Sequence, residues 1–197
     1  TYTWMNTTQG TTLGSGGTLI LDSTMANRGD EIQCAAIVTD TSGDMISSSS
    51  AVTLGNREPS APTVELSPNP AYIDSILTCT PTGSSDADGD SVSYTYAWMV
   101  NGNSLSDTGN TLSAVFAAQD IVVCTATPSD GLLTGAATQT SITISNRAPT
   151  IDSLTLSPDP VYTDDNIVAS VVSSDADGDI PSFTFSWSVN GVSVQSG

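Results

Sequence analysis

The chain has 197 residues, and its 21 acidic residues against 3 arginines give it a net charge of −18. Such a polyanion cannot neutralise phosphate, so we expect no binding to nucleic acid or to anionic lipid. The chain has no histidine and no lysine, which removes Ser-His-Asp, Cys-His, Schiff-base and common zinc chemistry, so we do not expect an enzyme. No apolar run approaches the roughly 20 residues of a membrane helix, so we expect no membrane span in this segment.

The sequence repeats itself at an interval of about 90 residues. An acidic turn with the sequence SSDADGD occupies residues 84–90 and returns at residues 173–179. Trp98 follows the first turn at the same distance as Trp187 follows the second, and these two tryptophans are 89 positions apart. Self-similarity at a fixed interval indicates an array of small modules.

A short linker motif sets the boundaries of these modules. The motif Asn-Arg-x-Pro occurs at residues 56–59 and again at residues 146–149. We predict the C-terminal part of a first repeat, one complete repeat and the N-terminal part of a third repeat, over residues 1–55, 56–145 and 146–197. Either the array continues beyond this window, or the front part of one molecule completes the back part of another. Head-to-tail completion of that kind builds open filaments.

Short strands follow one another along the whole chain, and no stretch shows a helical period. Alternating or apolar runs bounded by turn residues predict strands at Thr18–Leu21, Glu31–Val38, Ser47–Leu54, Thr63–Leu66, Ser75–Thr80, Val92–Val100, Thr111–Phe116, Ile121–Thr127, Ala136–Ile144 and Ile151–Leu156. The natural fold for this pattern is all-β, with tandem β-sandwich domains joined by short proline-containing linkers.

Two strands of the complete repeat have a clear inner face. Tyr94, Tyr96 and Trp98 share one parity, so their side chains point to the same side of a strand, and we expect that side to face the core. Val122 and Cys124 share an inner face on a later strand. Asn101-Gly102, after the Trp98 strand, is a dipeptide typical of a tight hairpin turn.

Three positions in the complete repeat have the order Cys79, Trp98, Cys124, which is typical of an immunoglobulin-type sandwich. We predict a Cys79–Cys124 disulfide, which would stabilise the fold by about 4 kcal/mol in the chain-entropy model; the alternative is two buried free thiols. Cys34 matches Cys124 in the first repeat, and Ala169 replaces the counterpart of Cys79 in the third. Paired cysteines point to a compartment outside the cytoplasm.

The linker motif, a Ser-Pro-x-Pro turn, the SSDADGD turn and an aromatic-x-Trp-x-x-Asn-Gly strand each occur twice, and a Thr-Pro-Ser-Asp-Gly turn occurs once, at residues 127–131. Together they resemble the tandem immunoglobulin-like repeats, of the PKD-like and cadherin-like type, of large bacterial or archaeal surface proteins. The Trp-Asp-Phe-Gly-Asp-Gly turn of PKD domains is replaced here by residues 98–102. The resemblance implies an extracellular, repetitive protein with a structural or adhesive role.

The acidic turns are the best candidate metal sites, because alternating carboxylates around a glycine suit the oxygen coordination of Ca²⁺. We expect each turn to lie beside the preceding linker, where a calcium ion would stiffen the junction. The alternative is a solvated turn whose aspartates cap local backbone amides. The candidate ligands are Asp86, Asp88 and Asp90 in the first turn and Asp175, Asp177 and Asp179 in the second, with Asp30 and Glu58 as partners at the first junction and Asp120 at the second.

Two functions from different classes fit these patterns. The first is a stalk, fibre or adhesin, whose partners are neighbouring copies or repeats of the same protein and a surface glycan or protein ligand. The second is a carbohydrate-binding accessory module of a secreted protein. Such a module needs an exposed aromatic platform, for which Tyr72 and Tyr162 are the recurrent candidates.

Overall fold

A computed structural model describes residues 1–196, and all of their regular secondary structure is β-strand. Every pairing between two named strands is antiparallel. The prediction of an all-β chain is therefore confirmed. Within the same residues, no helix is long and apolar enough to cross a membrane. Gly197, the last residue of the predicted third repeat, lies outside the described residues.

The first segment, residues 1–55, forms a single four-stranded sheet. The strand order is β2-β1-β3-β4. Its strands are β1 (Tyr2–Asn6), β2 (Thr11–Ser15), β3 (Glu31–Thr39) and β4 (Met45–Thr53).

The middle segment, residues 56–145, forms two sheets. One has the order β5-β6-β9 and the other the order β11-β10-β7-β8. Their strands are β5 (Thr63–Ser67), β6 (Leu77–Thr82), β7 (Ser93–Val100), β8 (Asn103–Ser104), β9 (Thr111–Leu112), β10 (Ile121–Ser129) and β11 (Thr138–Thr143).

Both sheets of the middle segment contribute to one buried core. Leu77 from β6, Trp98 from β7 and Val122 from β10 are almost fully buried and belong to the same cluster. Tyr96 packs against that cluster, whereas its neighbour Thr95 is exposed, as the predicted inner face of this strand requires. Two antiparallel sheets around a shared core are consistent with a β-sandwich.

A disulfide joins Cys79 on β6 to Cys124 on β10, so the predicted pairing is confirmed. The two Cα atoms are 6.3 Å apart, and both residues are buried in the core. The bond therefore ties one sheet to the other at the centre of the middle segment. Cys34 is a free cysteine and is half-buried.

The first segment reproduces one sheet of the middle segment, strand for strand. Trp98 is the pairing partner of Cys124 between β7 and β10, and Trp4 is the pairing partner of Cys34 between β1 and β3. Each indole Nε1 donates a hydrogen bond of 2.8 Å to a glycine carbonyl oxygen, that of Gly109 for Trp98 and that of Gly16 for Trp4. The sequence repeat is thus also a repeat of strand register.

The third segment, residues 146–196, forms two separate two-stranded sheets. Leu156 pairs with Ala169 as Leu66 pairs with Cys79 in the middle segment, so Ala169 takes the place of the bridging cysteine. The strands are β12 (Thr150–Ser157), β13 (Val168–Ser174), β14 (Ser186–Val189) and β15 (Val192–Ser196).

The predicted tight turn after Trp98 is confirmed. Asn101 and Gly102 have φ values of 49° and 81°, and Asn190 and Gly191 in the third segment have the same values. Two consecutive positive φ angles define the type I′ turn that suits the twist of a hairpin.

The strand predicted at residues 18–21 is wrong, because these residues are irregular. Their counterpart in the middle segment is β9, whose Leu112 pairs with Leu77 on β6. No strand of the β6 type lies beside residues 18–21 in the described part of the chain. A strand needs a partner for its backbone groups, so the stretch remains without regular structure.

Candidate functional site

The two acidic turns fold in the same way. Asp86 Oδ1 accepts a hydrogen bond of 2.7 Å from the backbone N–H of Asp88, and Asp175 Oδ1 accepts one of 2.8 Å from that of Asp177. The glycine that follows has a positive φ in both turns, 87° at Gly89 and 82° at position 178, a conformation that glycine adopts without strain. The side chain of the first aspartate therefore stabilises each turn, and the carboxylate of the second is free to accept hydrogen bonds from outside the turn.

At the first junction, Arg57 of the linker binds Asp88. The backbone N–H of Arg57 donates to Asp88 Oδ2 at 2.7 Å, and its Nε and Nη2 donate to Asp88 Oδ1 at 2.8 and 2.6 Å. These hydrogen bonds lower the pKa of Asp88 below its ordinary value, the guanidinium contributing most. The linker and the acidic turn are thus joined, as the predicted placement of the turn requires.

At the second junction, Arg147 makes the same contacts and adds others. Its backbone N–H and its guanidinium both donate to Asp177, whose side chain is fully buried. Its Nη1 and Nη2 also donate to Asp74, at 3.2 and 3.0 Å, and its Cζ lies 4.8 Å from the centre of the Tyr72 ring. Arg147 therefore joins residues of the middle and the third segments. It also covers one face of Tyr72, the ring that we considered for a sugar platform.

The remaining arginine also contacts an acidic turn. Arg28 Nε lies 2.7 Å from Asp90 Oδ2. The N–H is not aligned for a hydrogen bond, so the contact is an ion pair. This ion pair links the first segment to the middle segment. Arg28, Arg57 and Arg147 are the three basic side chains of the chain, and all three therefore lie at a junction.

Asp30 and Asp120, predicted as metal ligands at the junctions, bind groups in their own segments. Asp30 Oδ2 accepts hydrogen bonds from the Asn27 backbone N–H and the Asn6 side chain, and these lower the pKa of Asp30. Asp120 accepts from the Ala117 backbone N–H and from Asn101, with the same effect on its pKa. Each aspartate thus anchors the turn that precedes it.

Glu58 and Asp179, the other two predicted ligands, take little part in these networks. Glu58 is exposed on the first linker. The backbone N–H of Asp179 donates to Asp175 Oδ1 at 3.3 Å. Among the hydrogen bonds and ion pairs of residues 1–196, none involves the carboxylate of either residue.

Four buried oxygen atoms near the acidic turns have no hydrogen-bond partner: Asp86 Oδ2, Asp175 Oδ2, Asn56 Oδ1 and Asp90 Oδ2, the last of which is in the ion pair with Arg28. Buried acceptors normally have a partner, and a cation is one kind of partner that satisfies them. In the described residues, however, no group of three or more acidic, cysteine or histidine side chains is arranged to hold a metal ion. Calcium binding stays a prediction.

Sequence reasoning identified the acidic turns but missed their partners. Arg57 and Arg147 belong to the linker motif, and the signal that could have found them is their similar separation, of 31 and 30 residues, from Asp88 and Asp177. Asn56 is the first residue of the linker motif, and its Nδ2 donates to Asp130 Oδ2 at 2.6 Å. That bond and those from the Leu133 and Leu132 N–H groups lower the pKa of Asp130, the Leu133 bond most.

Comparison with known proteins gives no relative from which a role could be transferred. No protein-family profile matches the chain. No curated protein and no solved structure matches it significantly.

Proposed function

We propose that this chain is a segment of an extracellular tandem-repeat protein that acts as a stalk, fibre or adhesin. Its repeats are immunoglobulin-like sandwiches in line, of which the middle segment is a complete one and the first and third segments are parts. Each linker is held by an arginine that binds the acidic turn of the following segment. The disulfide in the middle segment supports an oxidising location outside the cytoplasm. The net charge of −18 keeps such a surface soluble and free of nucleic acid.

One observation carries this proposal: Arg147 binds Asp74 and Asp177 together. An arginine that satisfies two carboxylates in two segments restricts how one segment can rotate against the other. Its planar fork suits paired carboxylates better than a lysine would. Stiff junctions are what a stalk needs, whereas a flexible linker would serve a tethered binding module.

A distance measurement between two spin labels tests the proposal. Labels at the exposed residues Thr95 and Ser153, in a Cys34→Ser background, span the second junction. We expect a narrow distance distribution, which broadens in Arg147→Ala. The matched control is Arg28→Ala, which removes an arginine from the first junction and should leave this distribution narrow. A broad distribution before any substitution at position 147 would remove the stalk role.

Calcium stiffening is the second candidate, favoured by the unpartnered oxygens of Asp86 and Asp175. Carboxylate oxygens are ligands that Ca²⁺ prefers, while the neighbouring guanidinium groups oppose a divalent cation by charge repulsion. Titration calorimetry with calcium chloride separates the two effects. Heat of binding that disappears in the double variant Asp86→Asn with Asp175→Asn supports calcium binding at the acidic turns. No heat at millimolar calcium leaves the arginines as the sole stiffening element.

A further inference from the structure

One face of the first-segment sheet lacks a covering sheet within residues 1–196. The shared register places Val52 where the middle segment has Ile142. Val52 is 62% exposed, whereas Ile142 is 8% exposed under the β5-β6-β9 sheet. Trp4 is likewise only half-buried where Trp98 is buried. Apart from Ile32, which is 2% exposed, this face therefore has the pattern of a core without the sheet that would bury it.

The third segment holds a sheet of the missing kind. β12 and β13 pair in the register of β5 and β6, which places Leu154 and Leu156 at the positions of Val64 and Leu66. Val64 and Leu66 pack against the middle core. Leu154 and Leu156 are 60% and 55% exposed. This two-stranded sheet also has a core-type face with nothing on it in the described residues.

The strand edges match as well as the faces. In the middle segment, Leu77 of β6 pairs with Leu112 of β9. The counterpart of Leu77 beside β13 is Ile167, which is 44% exposed. The counterpart of Leu112 in the first segment is Leu19, in the irregular stretch that has no partner strand. β13 of another sheet could pair with residues 18–21 in the way that β6 pairs with β9 in the middle segment.

A third match is electrostatic. Arg147 is held by Tyr72 and Asp74 from the β5–β6 loop. The corresponding loop of the third segment presents Tyr162, which is 73% exposed, and Asp164, which is exposed. Arg57 has no such loop against it in the described residues, and its side chain is 67% exposed beside a cleft of about 430 Å³.

We propose that a second copy of this chain covers the first-segment sheet: β12 and β13 of one copy pack on the Trp4 face of the next, and Tyr162 and Asp164 of the first copy hold Arg57 of the second. This inference rests on the repeat equivalence in the proposed function. The two surfaces are different, so the contact is heterologous and repeats from copy to copy as an open chain.

The joint between copies differs from the middle core in one respect. Cys34 would face Ala169, where the middle segment has the Cys124–Cys79 bridge. No disulfide can form there, so the natural joint is reversible. The same difference offers a direct test, because a cysteine at position 169 would restore the missing bridge between two copies.

The experiment is oxidation of Ala169→Cys with oxidised glutathione, followed by non-reducing electrophoresis. Each chain then has two reactive positions, 34 and 169. We expect a ladder that extends beyond dimers, and a digest that contains a disulfide-linked peptide pair joining position 34 to position 169.

Two control variants separate a specific joint from random oxidation. The matched control is Ser170→Cys, whose side chain lies on the opposite face of β13. It should give no ladder, and neither should Ala169→Cys combined with Cys34→Ser. Any one of three results would overturn the proposal. The first is a ladder of equal yield from Ser170→Cys, the second is products that stop at dimers, and the third is a bond between positions 34 and 169 of one chain.

Sedimentation velocity without oxidation gives a second readout. We expect the mean mass of the unsubstituted chain to rise with concentration. Leu156→Asp should abolish that rise, and Thr155→Asp, on the other face of β12, should leave it intact. A chain that stays monomeric at every concentration overturns self-completion. The stalk proposal would still stand in that case, because its test concerns the second junction within one chain.

Discussion

Gly135 lies so close to Pro59 that a Cβ atom at position 135 would stand 2.0 Å from the Pro59 carbonyl oxygen. Pro59 is buried, and the Gly135 N–H donates to the Pro128 carbonyl oxygen at 3.0 Å. The linker thus packs on the connection between β10 and β11. Its position is fixed by backbone packing as well as by Arg57.

Replacing this glycine should disturb the linker and the fold together. We expect Gly135→Ala to lower the free energy of unfolding by about 1–3 kcal/mol, the range for overpacking a tight site. Guanidinium unfolding followed by tryptophan fluorescence measures the change. Gly55→Ala is the matched control, because no atom lies within 4 Å of a Cβ built there. Equal stability of the two variants would mean that the chain tolerates a shift of Pro59.

The disulfide should account for a large part of the stability of the middle segment. Its cysteines are 45 positions apart, and in the chain-entropy model such a bridge contributes about 4 kcal/mol. We expect Cys79→Ala with Cys124→Ala to lose an amount of that order in denaturant unfolding. Alanine is a fitting replacement, because Ala169 occupies the equivalent position. A loss below about 1 kcal/mol would show that the bridge confers little stability on an already well-packed core.

The two acidic turns should differ in their sensitivity to substitution. The Asp177 side chain is fully buried beside Arg147, whereas Asp88 faces a largely exposed Arg57. We expect Asp177→Asn to cost about 1.5–3 kcal/mol, the range for a hydrogen bond to a charged group. Asp88→Asn serves as the paired variant and should cost less, because solvent screens its partner. Thermal unfolding of both variants checks the order, and the reverse order would contradict this account of burial.

Acid should make the junctions more mobile, whereas a change of pH near neutrality should have no effect on them. The Arg147 guanidinium lowers the pKa of Asp74 below its ordinary value of 3.8, and Arg57 does the same for Asp88. A lowered folded-state pKa means that the stabilisation is complete above the ordinary pKa and is lost as the pH falls through the folded-state value. The chain has no histidine to titrate near neutrality.

The spin-label distance across the second junction measures this effect. We expect the same narrow distribution from about pH 5 to about pH 8, a range in which carboxylates with ordinary or lowered pKa values stay charged. It should broaden below pH 3.8. Broadening near pH 6 would point to a titrating group other than these aspartates.

The sequence was most informative within the complete repeat. The inner face of β7 followed from the alternation of its residues, and the Cys79–Cys124 bridge followed from the order of the cysteines around Trp98. The same reasoning failed at residues 18–21, because a strand forms only where another strand lies beside it. The amino-acid composition of residues 18–21 cannot reveal that the described residues contain no strand to pair with them.

The junctions show a second limit. The aspartates of residues 84–90 suggested a metal ion, because carboxylates that cluster in sequence imply a shared cation. The structure brings the Arg57 guanidinium to Asp88, a cation that this reasoning did not consider. Which cation meets a carboxylate depends on the path of the chain over 31 residues, and no local pattern specifies that path.

The placement of all basic side chains at the junctions has a consequence for proteolysis. A trypsin-type protease cleaves after arginine or lysine, so it has three sites in this chain: Arg28, Arg57 and Arg147. Each of these side chains is engaged with an aspartate. The interior of the middle segment, between Arg57 and Arg147, offers no cut at all. The rate at which such a protease divides the molecule therefore reports how often a junction opens.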